Sequence, residues 1–117
     1  MMDFVAFDLE TTGIQPEADA IVEIGAVKFL DGIPQKPFST LVNPQRLIPQ
    51  EAIDVHGISN EEVRGQPVIR DLLGPLADYC GDLPLVAHNA RFDFKFLETA
   101  IKKTRGPAPT GVVLDTH

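Results

Sequence analysis

The chain has 117 residues, of which 44% are hydrophobic, and its ten bases and seventeen acids give a net charge of −7 at neutral pH. This length suits one domain with a buried core, and no apolar run approaches the roughly 18 residues that a membrane span needs. The single cysteine, Cys80, excludes an internal disulfide framework, so we expect a cytoplasmic protein in which Cys80 is structural. The net charge argues against a general nucleic-acid binder, although five of the bases fall within residues 91–105.

The first half of the chain is predicted to be mostly strands. The apolar run around Asp8 predicts a strand that is buried on both faces, and Asp31-Gly32 is a strong hairpin signal. The predicted elements of this half are strands at 4–9, 20–32 and 36–44, then a proline-rich loop at 45–58 with room for one short helical turn.

The second half alternates helices and strands. Ser59 and Glu62 have the spacing of a capping box, and Pro75 should kink or break the helix in which it lies. The predicted elements are helices at 68–79 and 90–103, strands at 83–89 and 112–115, and a loop at 105–111. Hairpin strands followed by strand–helix alternation predict an α/β domain with a mixed sheet, partly antiparallel and partly parallel.

Two carboxylates lie one residue apart in the first predicted strand. Side chains at i and i+2 of a strand share a face, so Asp8 and Glu10 project together, roughly 6.5 Å apart at the backbone. Charges this close raise each other's pKa unless a partner is present, and carboxylates are preferred ligands of hard divalent cations. Alone, the pair fits equally well two acids at a loop edge that face water, or Glu10 capping the next element.

A third acid, Asp93, lies in the first turn of the last predicted helix. The helix dipole alone would stabilise an acid there by about 0.3–1 kcal/mol. However, Asp93 lies between Phe92 and Phe94 and shares a helix face with Leu97, so we expect it to point partly toward the sheet. The preceding strand would bring it near the end of the first strand. Three carboxylates would then converge, as a two-metal phosphodiester site requires.

Several stretches of the sequence resemble one enzyme family. "FDLETTG" at 7–13, "HNARFDFKFL" at 88–97 and "LDTH" at 114–117 resemble the DEDD-type (DEDDh-like) 3′–5′ exonucleases, in particular the proofreading subunit or domain of bacterial DNA polymerase III. "IVEIGAV" and "VHGI" are also similar to that family. The resemblance implies a ribonuclease H-like fold. It further implies that residues 1–117 are a single, incomplete exonuclease domain that lacks its C-terminal helices.

The resemblance also implies a metal site and a substrate groove. It makes Asp8, Glu10 and Asp93 the catalytic ligands of two Mg²⁺ or Mn²⁺ ions about 3.5–4 Å apart, one generating hydroxide and the other stabilising the departing 3′ oxygen. It also implies that Thr11, Thr12 and Gly13 form the turn that approaches the terminal nucleotide.

Four further residues match positions that line the family's groove: His56, His88, Asn89 and Phe92. Each has a simpler alternative. His88 could equally satisfy hydrogen bonds in the core, and Phe92 could be core. Asn89 could be only a helix N-cap, and His56 could be a loop histidine without a ligand.

The family's third motif, a histidine general base and a fourth acid five residues later, has no match in these 117 residues. Asp115 and His117 resemble the segment before that motif and do not replace it. A general acid–base group typically contributes 10²–10⁴-fold, so we expect the polypeptide itself to be weakly active or inactive. The missing helix would also leave an apolar face through which the chain could self-associate.

These features together predict a metal-dependent 3′–5′ exonuclease that acts on single-stranded or frayed 3′ ends of DNA in proofreading or repair. A DNA polymerase is the expected partner, and no membrane is involved. Two alternatives stay open. One is a non-catalytic module that binds nucleic acid or a polymerase. The other is an RNA-processing exoribonuclease of the same family, because contacts to the 2′-hydroxyl cannot be identified from the sequence.

Overall fold

The computed structural model describes residues 2–111, which form one mixed sheet with helices packed against it. The elements in chain order are β1 (Phe4–Thr11), β2 (Ile21–Leu30), β3 (Ile33–Pro34), β4 (Phe38–Leu41), α1 (Gln50–His56), α2 (Asn60–Val63), α3 (Ile69–Cys80), β5 (Leu85–Ala87) and α4 (Ala90–Thr104). The predicted strand at 112–115 lies outside the described residues. No helix within residues 2–111 is long and apolar enough to cross a membrane.

The sheet has the order β3-β2-β1-β5, and β4 also pairs with β2. β1 is antiparallel to β2 and parallel to β5, which confirms the predicted mixture of strand directions. The hairpin between β2 and β3 turns at Asp31 and Gly32, whose φ angles of 53° and 79° are both positive. This is the geometry that an Asp-Gly pair favours in a two-residue hairpin turn.

The main core lies between one face of the sheet and the helices α3 and α4. β1 contributes Val5, Phe7 and Leu9, whose spacing of two residues places them on one face. Against them pack apolar residues of the two helices: Leu72, Leu73, Leu76, Cys80, Phe94, Phe96 and Leu97. Cys80 is fully buried, and burial raises the pKa of its thiol to about 11, which suits the structural role expected from the sequence.

A second, smaller core lies under α1 and α2. Val22, Ile48, Ile58 and Val63 form it, with Ala52 and Ile53 of α1 packed against them. The β1–β2 register shifts between Glu10 and Thr11, so that Val22 is an extra residue in β2. This β-bulge directs Val22 into the second core while Ile21 returns to the main one.

Several sequence predictions differ from the structure. β1 is fully buried on one face only, because its other face includes exposed Asp8 and half-buried Glu10. The returning strand and the strand before α4 are shorter than predicted, at 38–41 and 85–87. The loop at 45–58 contains α1, a seven-residue helix rather than one turn. Finally, α3 continues through Pro75 to Cys80 instead of breaking there.

Candidate active site

An open cavity of about 560 Å³ lies where β1 ends. Residues of β1 and of the turn after it form one side, and α1 and the start of α4 form the others. We call it the acidic cleft; its lining residues are Asp8, Leu9, Glu10, Thr11, Thr12, Gly13, Ile14, Pro49, Glu51, Ala52, Val55, His56, Asn89, Phe92 and Asp93. The cleft therefore contains nine of the ten site residues expected from the sequence, the exception being His88.

The β1–β2 pairing determines the positions of the two β1 acids. Asp8 lies opposite Gly25, and Glu10 lies opposite Glu23, immediately before the bulge. Asp8 is exposed and Glu10 is half-buried. Burial, together with the negative charges of Asp8 and Glu23, raises the pKa of Glu10, and His56 partly opposes this rise. A carboxylate close to two other negative charges is destabilised in its ionised form, and a bound cation would relieve this repulsion.

Asp93 is the most unusual group in the cleft. It lies in the first turn of α4, where its backbone N–H donates to the carbonyl oxygen of Asn89 at 2.9 Å. Only 1% of the residue is exposed, and its Oδ2 has no hydrogen-bond partner. The sequence prediction that Asp93 points inward rather than into bulk solvent is consistent with this burial.

The charge of Asp93 is unfavourable in the metal-free protein. Burial raises the pKa of this carboxyl to about 7, and the negative charges of Asp8 and Glu10 add to the rise. A hydrogen bond from the backbone of Leu9, the residue between the other two acids, opposes it. All three carboxyls are therefore close enough to influence one another.

These acids do not form a ready-made metal site. Within residues 2–111, no three His, Cys, Asp or Glu side chains are grouped so that they could hold one ion as they stand. The unpartnered Oδ2 of Asp93 and the mutual repulsion of the acids nevertheless fit a divalent cation, whose preferred ligands are carboxylate oxygens.

The turn after β1 is held by a side chain that the sequence analysis did not select. Asp19 accepts a hydrogen bond from Thr12 Oγ1 at 3.1 Å and from the backbone N–H of Gln15 at 2.9 Å. Thr12 Oγ1 in turn accepts from Ala20 N at 3.0 Å. A Cβ at Gly13 would lie 2.4 Å from Asp19 Oδ2, so the turn requires a glycine because the carboxylate occupies that space.

His56 connects α1 to the end of β1. Its Nδ1 accepts a hydrogen bond from Ile58 N at 3.0 Å, so Nε2 carries the proton and donates to the carbonyl oxygen of Thr11 at 3.2 Å. His56 is thus hydrogen-bonded on both ring nitrogens, unlike a loop histidine without contacts. Gly57, with φ 75°, ends α1 and allows the chain to turn toward Ile58.

The remaining predicted groove residues are placed differently from one another. Asn89 is at the N-cap position of α4 but makes no capping hydrogen bond with its side chain, which leaves the amide available to the cleft. Phe92 is half-buried beside Phe96, with ring centroids 4.8 Å apart, and also lines the cleft. His88 is exposed and does not line the cleft.

The cleft wall formed by α1 was missed in the sequence analysis. Glu51, Ala52 and Val55 line the cleft together with the acids of β1, and Val55 is 83% exposed. Ile14, in the turn after β1, is 75% exposed. Because α1 contains no fully buried residue, it has no apolar stripe from which periodicity could have identified it.

Comparison with known proteins gives this arrangement a context. The sequence model of a family described as "Exonuclease" matches residues 5–116. The chain belongs to this exonuclease family. A DNA polymerase III of the PolC type from Thermotoga petrophila is 40% identical over 103 residues, which are 88% of this chain and 8% of the polymerase.

Solved exonuclease structures share the fold. Escherichia coli exonuclease I in complex with a dT13 oligonucleotide superposes with a TM-score of 0.79 at 18% identity, over 93% of this chain and 25% of that one. Exonuclease X in complex with 5′-overhanging duplex DNA has a TM-score of 0.69 at 34% identity, over 92% of this chain and 56% of that one. The fold is ribonuclease H-like, as expected. The chain spans a small part of its polymerase relatives and about half of exonuclease X.

Proposed function

We propose that this chain is a metal-dependent 3′–5′ exonuclease domain that removes nucleotides from single-stranded or frayed 3′ ends of DNA. One observation supports the proposal above the others, namely the buried, unpartnered Oδ2 of Asp93 beside Asp8 and Glu10. None of these acids takes part in a salt bridge within residues 2–111, whereas a divalent cation would neutralise them. Members of an exonuclease family hydrolyse phosphodiester bonds, a reaction that bound divalent cations catalyse.

Asp8, Glu10 and Asp93 would hold Mg²⁺ or Mn²⁺ as two ions. When bound, such ions activate water and stabilise a leaving oxygen in phosphodiester hydrolysis. The protein presents these acids in two different environments. Asp93 is buried in the first turn of α4, while Asp8 is exposed in β1. The buried carboxylate would hold the ions from inside the cleft, and Asp8 would bind them from its exposed side.

The other cleft residues would bind the terminal nucleotide. The turn Thr11–Gly13 lines the cleft and would contact the nucleotide through its backbone, with the Asp19 carboxylate packed behind Gly13. Asn89 offers an uncommitted amide, and Phe92 offers an aromatic surface at the cleft wall on which a base could stack. His56 would act indirectly, by holding the Thr11 carbonyl and thereby the end of β1.

DNA is the proposed substrate because of the similarity to PolC-type DNA polymerases. By the same argument, the partner would be a DNA polymerase, and the activity would be proofreading in the bacterial cytoplasm. Residues 1–117 would be one exonuclease domain of such an assembly. The histidine base and fourth acid of the resembled family have no match in the sequence, so we expect the isolated chain to hydrolyse slowly.

The test is nucleotide release from single-stranded DNA labelled at its 3′ or its 5′ end. We expect slow, Mn²⁺-dependent release from the 3′ end, abolished by Asp8→Ala and retained by Asp78→Ala, which removes an exposed acid of α3. Thermal denaturation with and without Mn²⁺ provides a second measurement that does not need turnover. Release from the 5′ end, or equal Mn²⁺ stabilisation of both variants, would contradict the proposal. Mn²⁺ and DNA binding without any hydrolysis would instead favour a non-catalytic module.

A further inference from the structure

A second cavity, of about 260 Å³, lies on the other side of the turn that borders the acidic cleft. We call it the basic pocket. It is formed by the segment that leads into β2, the segment that follows β4, the first turn of α3 and the middle and C-terminal part of α4. Its lining residues are Pro16, Asp19, Ala20, Ile21, Val42, Asn43, Pro44, Gln45, Arg46, Ile69, Arg70, Phe96, Thr99, Ala100, Lys103 and Thr104.

The pocket concentrates positive charge in an acidic protein. Arg46, Arg70 and Lys103 all line it and are all exposed. Asp19 is the one acid in its lining, and the Asp19 carboxylate is already bound by Thr12 and Gln15. Three cations thus face one committed acid, in a chain whose net charge is −7.

The cations retain capacity to bind an anion. Both ion pairs found in the described part of the chain involve Glu98, and neither includes a pocket cation. Arg46 donates to the carbonyl oxygen of Ala18, and Lys103 Nζ donates to that of Glu17 at 2.7 Å. An arginine has five N–H donors and a lysine three. Both side chains are therefore anchored at the pocket and still have donors to offer.

The chemistry of the pocket is twofold. Its floor is apolar and includes Ile21, Val42 and Phe96, all of which are nearly completely buried. Its rim is cationic. Single-stranded nucleic acid presents the matching pair of surfaces, an apolar base and an anionic phosphate. Asp19 belongs to the pocket, while Gly13, against which its carboxylate packs, belongs to the acidic cleft. One turn of chain therefore separates the two sites.

From this juxtaposition we propose that the basic pocket binds the phosphate backbone of the substrate strand, upstream of the nucleotide held in the acidic cleft. The inference depends on the proposed function, because the polarity of the strand follows from it. A strand with its 3′ end at Asp93 would cross the turn Gly13–Ala20 and place its next phosphates against Arg46, Arg70 and Lys103. The pocket would then supply the electrostatic attraction that the acidic cleft does not.

Arg70 gives the sharpest test, because neither of the two anchoring contacts to the turn involves it. Arg70→Gln should leave the turn intact while it removes one cation from the pocket. Lys102→Gln is the matched control, since Lys102 neighbours Lys103 on α4 but pairs with Glu98 and does not line the pocket. Binding of fluorescent oligo(dT) is measured by anisotropy over a range of salt concentrations, with strands of about 3 and about 12 nucleotides.

We expect Arg70→Gln to reduce the salt slope for the longer strand by about 0.7, the value for one neutralised phosphate of a single strand. The affinity of this variant for the longer strand should fall several-fold at low salt, while its affinity for the short strand should equal that of wild type. Lys102→Gln should change neither. Equal effects of the two variants would overturn the proposal. The same titration is repeated with a fluorescent Glu-rich peptide. If Arg70→Gln weakened binding of this peptide but not binding of DNA, the proposal would also be overturned, because the pocket would then bind a protein partner.

The outcome separates this inference from the proposed function. If nucleotides are released from the 3′ end but the Arg70 and Lys102 variants show the same salt slope for oligo(dT) binding, only the pocket proposal is contradicted. Release from the 5′ end, with the slope change still specific to Arg70, would remove the 3′–5′ assignment and leave the pocket as a phosphate site.

Discussion

Asp93→Asn should stabilise the metal-free protein and abolish its response to divalent cations. The substitution preserves the shape of the side chain but removes a charge that is buried and repelled by Asp8 and Glu10. The amide also adds an N–H donor at a position where Oδ2 now lacks a partner. Most substitutions of a fully buried residue lower the free energy of unfolding, so an increase on Asp93→Asn would specifically support an unfavourable charge at this position.

The magnitude follows from the raised pKa of Asp93. The change from 3.8 to about 7 is roughly three pKa units, which at 1.36 kcal/mol per unit sets a ceiling of about 4 kcal/mol above pH 7. Relaxation and water penetration reduce such a penalty in real proteins, and we expect about 2 kcal/mol. For a domain of this size, that corresponds to a rise in Tm of roughly 8–12 °C.

The pH dependence has a definite sign. Between roughly pH 4 and pH 7 the folded state holds a proton on Asp93 that the unfolded state has lost. The stability contributed by this group is therefore fully present below pH 3.8 and is lost as the pH rises through about 7. The difference in free energy of unfolding between Asp93→Asn and wild type should thus grow from near zero at pH 4 to its full value at pH 8.

Thermal or urea denaturation measures this difference, with Asp71→Asn as control. Asp71 lies in the first turn of α3, as Asp93 does in α4, but is exposed, so its substitution should cost about 0.3–1 kcal/mol through the helix dipole. Mn²⁺ at 100 times its Kd should add about 2.7 kcal/mol to wild type and nothing to Asp93→Asn, which reverses the order of stability. An Asp93→Asn protein that is less stable than wild type without metal at pH 8 would refute the reasoning.

Two further substitutions test how the cleft is held together. His56→Ala should lower the free energy of unfolding by about 1–3 kcal/mol, because it leaves the buried N–H of Ile58 unpaired. The control His88→Ala should change it by no more than about 0.5 kcal/mol. Equal losses in the two variants would mean that the His56 hydrogen bonds contribute little. Gly13→Ala should destabilise by a similar 1–3 kcal/mol, since its Cβ would displace a hydrogen-bonded carboxylate. Gly65→Ala, at a turn position without positive φ and with nothing within 4 Å of the new Cβ, should instead stabilise by about 0.4–1 kcal/mol. The same sign for both glycine substitutions in urea denaturation would contradict this account of the turn.

The parts of the fold that the sequence predicted correctly are those determined by local chemistry. Asp31-Gly32 encodes its turn because both residues tolerate positive φ. The Ser59 side chain accepts from Glu62 N, and the Glu62 side chain accepts from Ser59 N, as the capping box requires. Asp93 could be placed because its neighbours on α4 are large and apolar, which fixes the face that the helix presents to the core.

The parts that were missed depend on distant contacts. The helix α1 has Pro49 at its N-cap with no side-chain hydrogen bond and has no fully buried residue. What supports it comes from elsewhere in the chain, through the packing of Ala52 and Ile53 on the second core and the bond from His56 to Thr11. Asp19 likewise acts on Thr12, seven residues earlier in the chain. No periodicity or short motif contains this information.

The distribution of charge resolves the conflict between a net charge of −7 and a nucleic-acid substrate. A net charge acts on a polyanion only through the groups that face it, and bound divalent cations reverse the local field of the acids that hold them. In this chain, Asp8, Glu10 and Asp93 repel one another in the cleft, where the scissile phosphate and its metal ions would lie. Arg46, Arg70 and Lys103 lie across one turn from that cleft. The free energy lost by burying Asp93 without a partner is the free energy that a bound cation would recover, so the same carboxylate would both lower the stability of the protein without metal and favour metal binding.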